Sequence, residues 1–359
     1  MEKLAPVHPD ISLARTLDKR FYTEPQWQDA ARERIFLPSW LLVGHASDLG
    51  PETNCRPVDL LPGCLDEPLL LTHDGKDIRC LSNVCTHRGN ILVQAACQSP
   101  HIRCRYHGRV FGLDGEFRSM PEFQGVRDFP SVDDRLPALP LMRWGDLLFT
   151  TLGDYPADRY FAEMKARLSW LPMDEFRFRP DRSRDFLVKA HWALYCENYL
   201  EGFHIPFVHA GLNAVIDYGA YRTECFEWSN LQLGIAKEGE ACFALPEGSP
   251  DAGKAVAAYY FFVFPNLMFN FYPWGLSLNI VEPTGLSETR VRFLTYVWKE
   301  ERFDTGAGSG LDTVELEDEE VVEQVQRGIR SRLYRHGRFS VDREQGPHHF
   351  QRLVTRALG

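Results

Sequence analysis

The chain has 359 residues, of which 44% are hydrophobic, 13% aromatic and 25% charged. That is the balance of about two globular domains and excludes a disordered, collagen-like or disulfide-framework chain. Forty basic against fifty acidic side chains leave a formal net charge of −10, which argues against nonspecific binding to nucleic acid or to an anionic membrane. The opening residues Met1 to His8 contain no apolar core of a secretory signal. The longest apolar run, Ala255 to Phe264, is too short to span a bilayer and stops at Pro265. Nine cysteines, an odd number, then predict a cytoplasmic protein whose thiols are reduced or bind metal.

Up to about Pro38 the chain reads as short helices, with Pro25 as an early-helix proline and Trp27, Ala31, Arg34 and Ile35 at helical spacing. From Ser39 to about Thr151, short strands alternate with turn signals. Trp40 to Val43, Leu69 to Thr72 and Ile78 to Val84 are examples, and they predict a small all-β module. The second half opens with a helical stretch, Tyr160 to Leu171, and a strand, Asp185 to Lys189. Trp192, Tyr195, Tyr199 and Phe203 recur at three- and four-residue steps, which predicts a helix with one aromatic face. Val256 to Phe264, Leu267 to Tyr272, Leu276 to Glu282 and Thr289 to Trp298 are β-rich and separated by turn residues, as in an antiparallel sheet. Thr305 to Gly310 reads as a flexible link, followed by one long final helix from about Leu316 to Tyr334.

Two ligand pairs stand out in the all-β stretch. Cys85-Thr86-His87 and Cys104-Arg105-Tyr106-His107 each offer one thiolate and one imidazole, with Gly89 and Gly108 close behind so that backbone amides can approach sulfur. Two thiolates and two imidazoles suit a tetrahedral zinc or an iron–sulfur centre with histidines on one iron. The mixed order, one Cys and one His in each loop, matches the latter. Cys80 and Cys97 lie outside the pairs and are expected to be buried reduced thiols.

The segments Cys85-Thr86-His87-Arg88-Gly89 and Cys104-Arg105-Tyr106-His107-Gly108 resemble the Rieske domain of the Rieske non-haem iron oxygenases, the ring-hydroxylating oxygenase α-subunit family. One departure is Arg109, where many members have Trp. The resemblance implies that Cys85, His87, Cys104 and His107 hold a [2Fe–2S] cluster.

A second constellation lies in the other half. Glu197, Glu201 and His204 are spaced to share one helical face. Pro206 disfavours helix at Ile205, so His209 can turn back toward His204. Two imidazoles and a carboxylate make the facial triad of a non-haem Fe(II) site. The E-x-x-H-x₄-H arrangement of Glu201, His204 and His209 resembles the family's mononuclear iron motif. The third ligand is sought in the acidic run Glu315 to Glu323. Asp318 shares a helical stripe with Val314, Val321, Val322, Val325, Ile329 and Leu333, and an acid on a buried face is costly unless it meets a cation. Asp318 is therefore the expected ligand, with Glu315 as the alternative.

The family resemblance implies an α+β chain. N-terminal helices (1–38) would pack on the catalytic domain, followed by a small all-β Rieske domain (39–151). A helix-grip (START-like) catalytic domain with a large antiparallel sheet and covering helices (152–359) would complete it. It also implies O₂ as co-substrate and electrons from a separate NAD(P)H-dependent ferredoxin or flavin reductase. An acid at the position of Glu201 would bridge an iron-ligating histidine and a Rieske histidine, His107 or His87, of a neighbouring subunit in a head-to-tail homotrimer.

Glutamate at that position resembles the branch that oxidises quaternary ammonium compounds. So do Val325 to Gly328, Gly337 to Ser340, Glu344 to Phe350 and the aromatic stretch Phe264 to Gly275. A small quaternary ammonium or N-methylated substrate, hydroxylated with N-dealkylation or C–N cleavage, is the expectation. An aromatic-ring hydroxylase is the alternative within the enzyme class. A non-catalytic electron carrier or zinc-stabilised binding protein is the alternative outside it. His348 and His349 are expected to be structural.

Overall fold

The computed structural model describes residues 3–359. The chain divides into two compact units: Trp40–Asp154, and the residues up to Ser39 together with Tyr155–Gly359.

The smaller unit is built of short antiparallel strands. β1 (Leu41–His45) runs beside a late hairpin, while β2 (Cys55–Leu60), β3 (Glu67–His73) and β4 (Ile78–Ser82) form a meander. β5 (Ile102–Arg103), β6 (Val110–Phe111) and β7 (Phe117–Ser119) make a third sheet. β8 (Ala138–Leu139) edges the meander, and β9 (Leu141–Trp144) with β10 (Leu147–Thr150) closes on β1. The apolar run Leu69-Leu70-Leu71 is fully buried. Leu70, Leu81, Ile102, Phe111 and Leu136 pack around the side chains of Cys85 and Cys104, so the core of this unit carries the two ligand loops directly.

The larger unit begins with α1 (Arg20–Thr23), α2 (Pro25–Ala31) and a π-helical turn, Arg32–Phe36. Pro25 sits in the first turn of α2, where its missing N–H costs nothing. These pieces pack on the start of a central helix: Phe21 meets His191 at 4.9 Å and Phe36 meets Trp192 at 4.8 Å, both edge-on. α3 (Asp158–Arg167) follows. The sheet comprises β11 (Arg177–Phe178), β12 (Arg184–Val188), β13 (Arg222–Cys225), β14 (Ser229–Ile235), β15 (Val256–Val263), β16 (Leu267–Tyr272), β17 (Gly275–Gly285) and β18 (Glu288–Val297). Its order is β11-β18-β17-β16-β15-β14-β13, with β12 also on β18. β15 and β16 are buried along their whole length, which is why they read as unbroken apolar runs.

Across this sheet lie α4 (Trp192–Tyr199), the short α5 (Ile205–Val208) and α6 (Ala210–Val215), then α7 (Leu311–Ile329) and α8 (Gln345–Leu358). No helix of the described residues is long and apolar enough to cross a membrane.

Four sequence expectations change. The aromatic-faced helix ends at Tyr199, and Phe203 is half-exposed beyond it. The last helix is not Leu316 to Tyr334: α7 starts five residues earlier and stops at Ile329, and α8 closes the chain. The supposed flexible link is a packed turn, because a side chain at Gly308 would sit 2.3 Å from Nε1 of Trp274 and 2.7 Å from Cγ of Tyr272. Cys80 is buried as expected, but Cys97 is exposed. β14 went unread because Asn230 and Gln232 interrupt its apolar pattern; both are buried all the same.

Candidate active site

In the smaller unit the two Cys/His loops are near-copies of one turn. Gly89 N–H donates to Cys85 O at 2.9 Å and Gly108 N–H donates to Cys104 O at 3.0 Å. Cys85 N–H reaches Asn90 O at 2.9 Å and Cys104 N–H reaches Arg109 O at 2.8 Å. Both glycines have left-handed φ, +68° and +73°, a conformation other residues adopt only with strain. The turns bury both thiols, each 2% exposed, and set the His87 and His107 rings 4.8 Å apart toward the outside. Buried sulfurs on one side and accessible imidazoles on the other fit a [2Fe–2S] cluster with chemically distinct irons.

Arg109, the departure from the family pattern, is also buried. Its guanidinium donates to Asp134 O and Oδ1 at 2.8 and 2.7 Å and stacks among Phe111, Phe117 and Phe129 at 5.1–5.5 Å. It braces the loop from behind rather than offering a ligand.

In the larger unit the second constellation forms where α4 ends. Leu200 caps α4, the chain bends through Glu201-Gly202-Phe203, and Pro206 falls in the first turn of α5. Pro206 thus starts a helix rather than breaking one, consistent with its fixed φ. His204 stands at the N-terminal end of α5 and His209 just past its C-terminal end, with their rings 5.0 Å apart. Asp318 arrives from α7: its Oδ1 lies 3.0 Å from His209 Nε2 and 3.6 Å from His204 Nε2. One ligand atom from each of the three falls within 4.8 Å of the others.

Each outer ring nitrogen is held by a carboxylate. His204 Nδ1 donates to Glu201 Oε1 at 2.7 Å, and His209 Nδ1 donates to Glu317 Oε2 at 2.7 Å. With Nδ1 of each ring held by a carboxylate, both Nε2 atoms are turned toward Asp318, the orientation in which they would ligate a metal. Glu201 Oε2 also accepts from the backbone N–H of Phe203 and, at 3.0 Å, of His204. Asn198 Nδ2 steadies Asp318 Oδ1 at 2.6 Å. Burial disfavours the charged ring of His209, which is 1% exposed, but Asp318 and Glu317 outweigh it and raise its pKa. Two imidazoles and one carboxylate, with open sides, suit non-haem Fe(II).

The helical face proposed for Glu197, Glu201 and His204 does not exist, since the helix stops between the first and second. Glu197 turns away from the histidines and accepts from Tyr22 Oη at 2.6 Å; burial pushes its carboxyl up to about 7. The buried stripe of α7 also differs from the expected one. It runs through Glu315, Val322, Gln326 and Ile329, while Val325 and Leu333 are exposed. Glu317 and Asn198 were missed altogether: an acid beside the ligand within an acidic run, and an amide in an aromatic helix, carry no signal in one sequence. Glu315 faces Tyr195 Oη instead of the histidines. His348 donates to the backbone O of His8 at 2.8 Å, a structural role.

The triad opens on a cavity of about 90 Å³ lined by Tyr195, Tyr199, Tyr221, Tyr260 and Tyr272. Of the aromatic stretch Phe264 to Gly275 only Tyr272 reaches it among the rings; the others are packed in the core, with Phe269 and Phe271 buried completely.

Two family models match the chain: the Rieske [2Fe-2S] domain over residues 39–130, and the ring hydroxylating alpha subunit (catalytic domain) over residues 173–359. The chain is a Rieske oxygenase of the ring-hydroxylating α-subunit family. The electron-carrier and zinc-protein alternatives fall with the second match. This Rieske oxygenase uses a [2Fe–2S] cluster, mononuclear iron, O₂ and electrons supplied by a separate reductase. It is 29% identical to the chloroplastic choline monooxygenase of Arabidopsis thaliana over 98% of this chain and 85% of that protein. It is 28% identical to the carnitine monooxygenase oxygenase subunit of Escherichia coli K12 over 96% of this chain and 94% of that one. Its α+β fold superimposes on a quaternary ammonium Rieske monooxygenase with TM-score 0.77 at 24% identity, each chain fully covered. It superimposes on naphthalene 1,2-dioxygenase from Rhodococcus with TM-score 0.73 at 17% identity, covering 96% of this chain and 94% of that one.

Proposed function

We propose that this oxygenase hydroxylates a C–H bond beside nitrogen in a small quaternary ammonium or N-methylated compound. The observation that carries the reading is the cavity beside the triad, where five tyrosines line the space a substrate would fill. Ring faces attract a desolvated cation by roughly 0.5–2 kcal/mol each, and no tail of the substrate needs to be aromatic for that attraction.

Cys85, Cys104, His87 and His107 would hold the cluster, and His204, His209 and Asp318 the mononuclear iron, which supplies O₂ activation when bound. Glu201 fixes the His204 ring through Nδ1. We assign it the bridging role as well, toward a Rieske histidine of a neighbouring subunit in a head-to-tail homotrimer. Glu317 fixes His209, and Asn198 fixes Asp318, so both imidazoles and the carboxylate are set before substrate arrives. In the balanced reaction one oxygen atom enters the C–H bond. The other leaves as water, with two electrons from NAD(P)H through the ferredoxin or flavin reductase and two protons. The resulting N–CH₂–OH group loses its hydroxyl proton to water as the C–N bond breaks, so that the carbon leaves as an aldehyde and the nitrogen keeps the bonding pair as an amine. A cytoplasmic location follows from the reducing conditions that cluster thiolates need.

The test is O₂ and NADH consumption by reconstituted enzyme with an added reductase. Choline, L-carnitine or a related ammonium compound should stimulate both in step, with stoichiometric product. Coupled turnover of naphthalene, and none of any ammonium compound, would transfer the site to the aromatic-ring reading.

A further inference from the structure

We propose that Cys55 and Cys97 form a reversible disulfide that staples the cluster-bearing unit when the protein meets a peroxide. Neither thiol belongs to the metal triad or lines the cavity beside it.

The two residues face each other across an isolated antiparallel bridge. Cys55 N–H donates to Cys97 O and Cys97 N–H donates to Cys55 O, both at 3.0 Å. Facing residues that exchange both bonds hold their Cα atoms about 5.5 Å apart, within the span that a disulfide bridges. Their side chains lie on the same side of the pair. The register is clamped next door, where Asn54 Nδ2 donates to Ser99 O and Ser99 N–H donates to Asn54 Oδ1, both at 2.9 Å. Asn54 N–H adds a bond to Cys97 O at 3.1 Å. Among the described residues no other two cysteines face each other across a strand or bridge.

The two thiols differ in access. Cys55 is fully buried and packs in the same core as Cys85 and Cys104, whereas Cys97 is exposed. Burial first, and the adjoining Cys97 thiol second, push the Cys55 thiol up to about 12. Cys97 is thus the sulfur that a dissolved oxidant reaches, with Cys55 behind it to capture a sulfenic acid before it oxidises further. Peroxide transfers one oxygen to the Cys97 sulfur and leaves as water. The Cys55 sulfur then attacks the Cys97 sulfur, the S–O bond breaks, and the hydroxyl departs with the Cys55 proton as a second water. Two thiols lose two electrons in all, and one peroxide is reduced.

The bond would close a loop that contains the ligand pair Cys85 and His87, and would anchor the segment that runs on through β5 to Cys104. A cross-link of this kind restricts the unfolded chain more than the folded one, so the unit holds its cluster while the oxidant persists.

The experiment exposes the cluster-loaded protein to a few equivalents of hydrogen peroxide, blocks the remaining thiols with N-ethylmaleimide and maps the peptides by mass spectrometry. A peptide linked through Cys55 and Cys97 should account for most of the protein and vanish after treatment with a phosphine reductant. It should appear with the Rieske electron paramagnetic resonance signal retained. Heat-driven bleaching of the visible absorption should then slow by about threefold or more, and return to the parent rate on reduction. Cys97→Ser, at an exposed position, should give neither the linked peptide nor the slowing. Cys225→Ser, at a second exposed cysteine, should behave as the parent.

Cys97 driven to sulfinic or sulfonic acid while Cys55 stays a free thiol would overturn the inference. So would equal bleaching rates in linked and reduced protein, or a linked peptide that forms only as the Rieske signal disappears. If Cys97→Ser does not fold, the parent's peptide map and bleaching rates decide.

Discussion

The two metal regions solve opposite problems with similar ligands. In the smaller unit the sulfurs are buried and the imidazoles face outward; in the larger unit His209 is 1% exposed, and His204 and Asp318 16% and 17%. An electron-transfer centre works when one edge lies near the surface, whereas a centre that handles O₂ works when its reacting side is shielded. The scaffolds follow suit. Twin glycine turns present the Rieske ligands from consecutive parts of a small β unit. The triad joins a helix break to a helix more than a hundred residues away, and three polar side chains hold its ligands in aim.

The comparison breaks most visibly if the two centres are not independent. Cys104→Ser should abolish the visible absorption and Rieske resonance and reduce turnover to background. His209→Ala should leave that resonance intact while iron falls from about three to about two per chain. Retention of all the iron by His209→Ala would remove the triad assignment.

A smaller effect separates the two carboxylates behind the histidines. Glu201 is 14% exposed and Glu317 36%, so water replaces Glu317 more readily. Glu201→Gln should lower kcat by about 100-fold, and Glu317→Gln by only about tenfold, both within the range for groups that orient ligands. Stopped-flow oxidation of the reduced cluster should slow in Glu201→Gln, because Glu201 is assigned the electron path, and be nearly unchanged in Glu317→Gln. Equal slowing in both would dissolve the distinction.

The smallest expected effect concerns Glu197, which lies on α4, before the bend that leads to His204 and His209, and outside the site. Its carboxyl titrates near 7 in the folded chain because of burial, against about 4.3 when unfolded. Between those values the folded state binds more protons than the unfolded one, so stability falls as pH rises from about 4.5 toward 7 and levels off above. Glu197→Gln should flatten that slope by on the order of 1 kcal/mol, measured as urea midpoints at pH 5 and 8. An unchanged slope would mean that other groups set it.

Local pattern sufficed where the chain itself closes the geometry. The pairing of Cys85 with His87 and of Cys104 with His107 was legible because their turns are short and end in glycine, and β15 and β16 because both their faces are buried. His204 and His209 could be paired because only a four-residue helix separates them. Asp318 does meet His204 and His209, but the buried face of α7 runs through Glu315, Val322, Gln326 and Ile329 rather than through the stripe the periodicity predicts. The stop of α4 at Tyr199, the turn of Glu197 toward Tyr22 and the exposure of Val325 were decided by tertiary packing. So were the reach of Glu317 to His209 and of Asn198 to Asp318, and the five tyrosines that meet at the cavity. None of these follows from periodicity, because helix ends and side-chain partners depend on which distant element covers them. Sequence determined which residue types could bind metal and roughly where; only the folded chain decided which acids face the histidines, because those acids reach them from an element more than a hundred residues away.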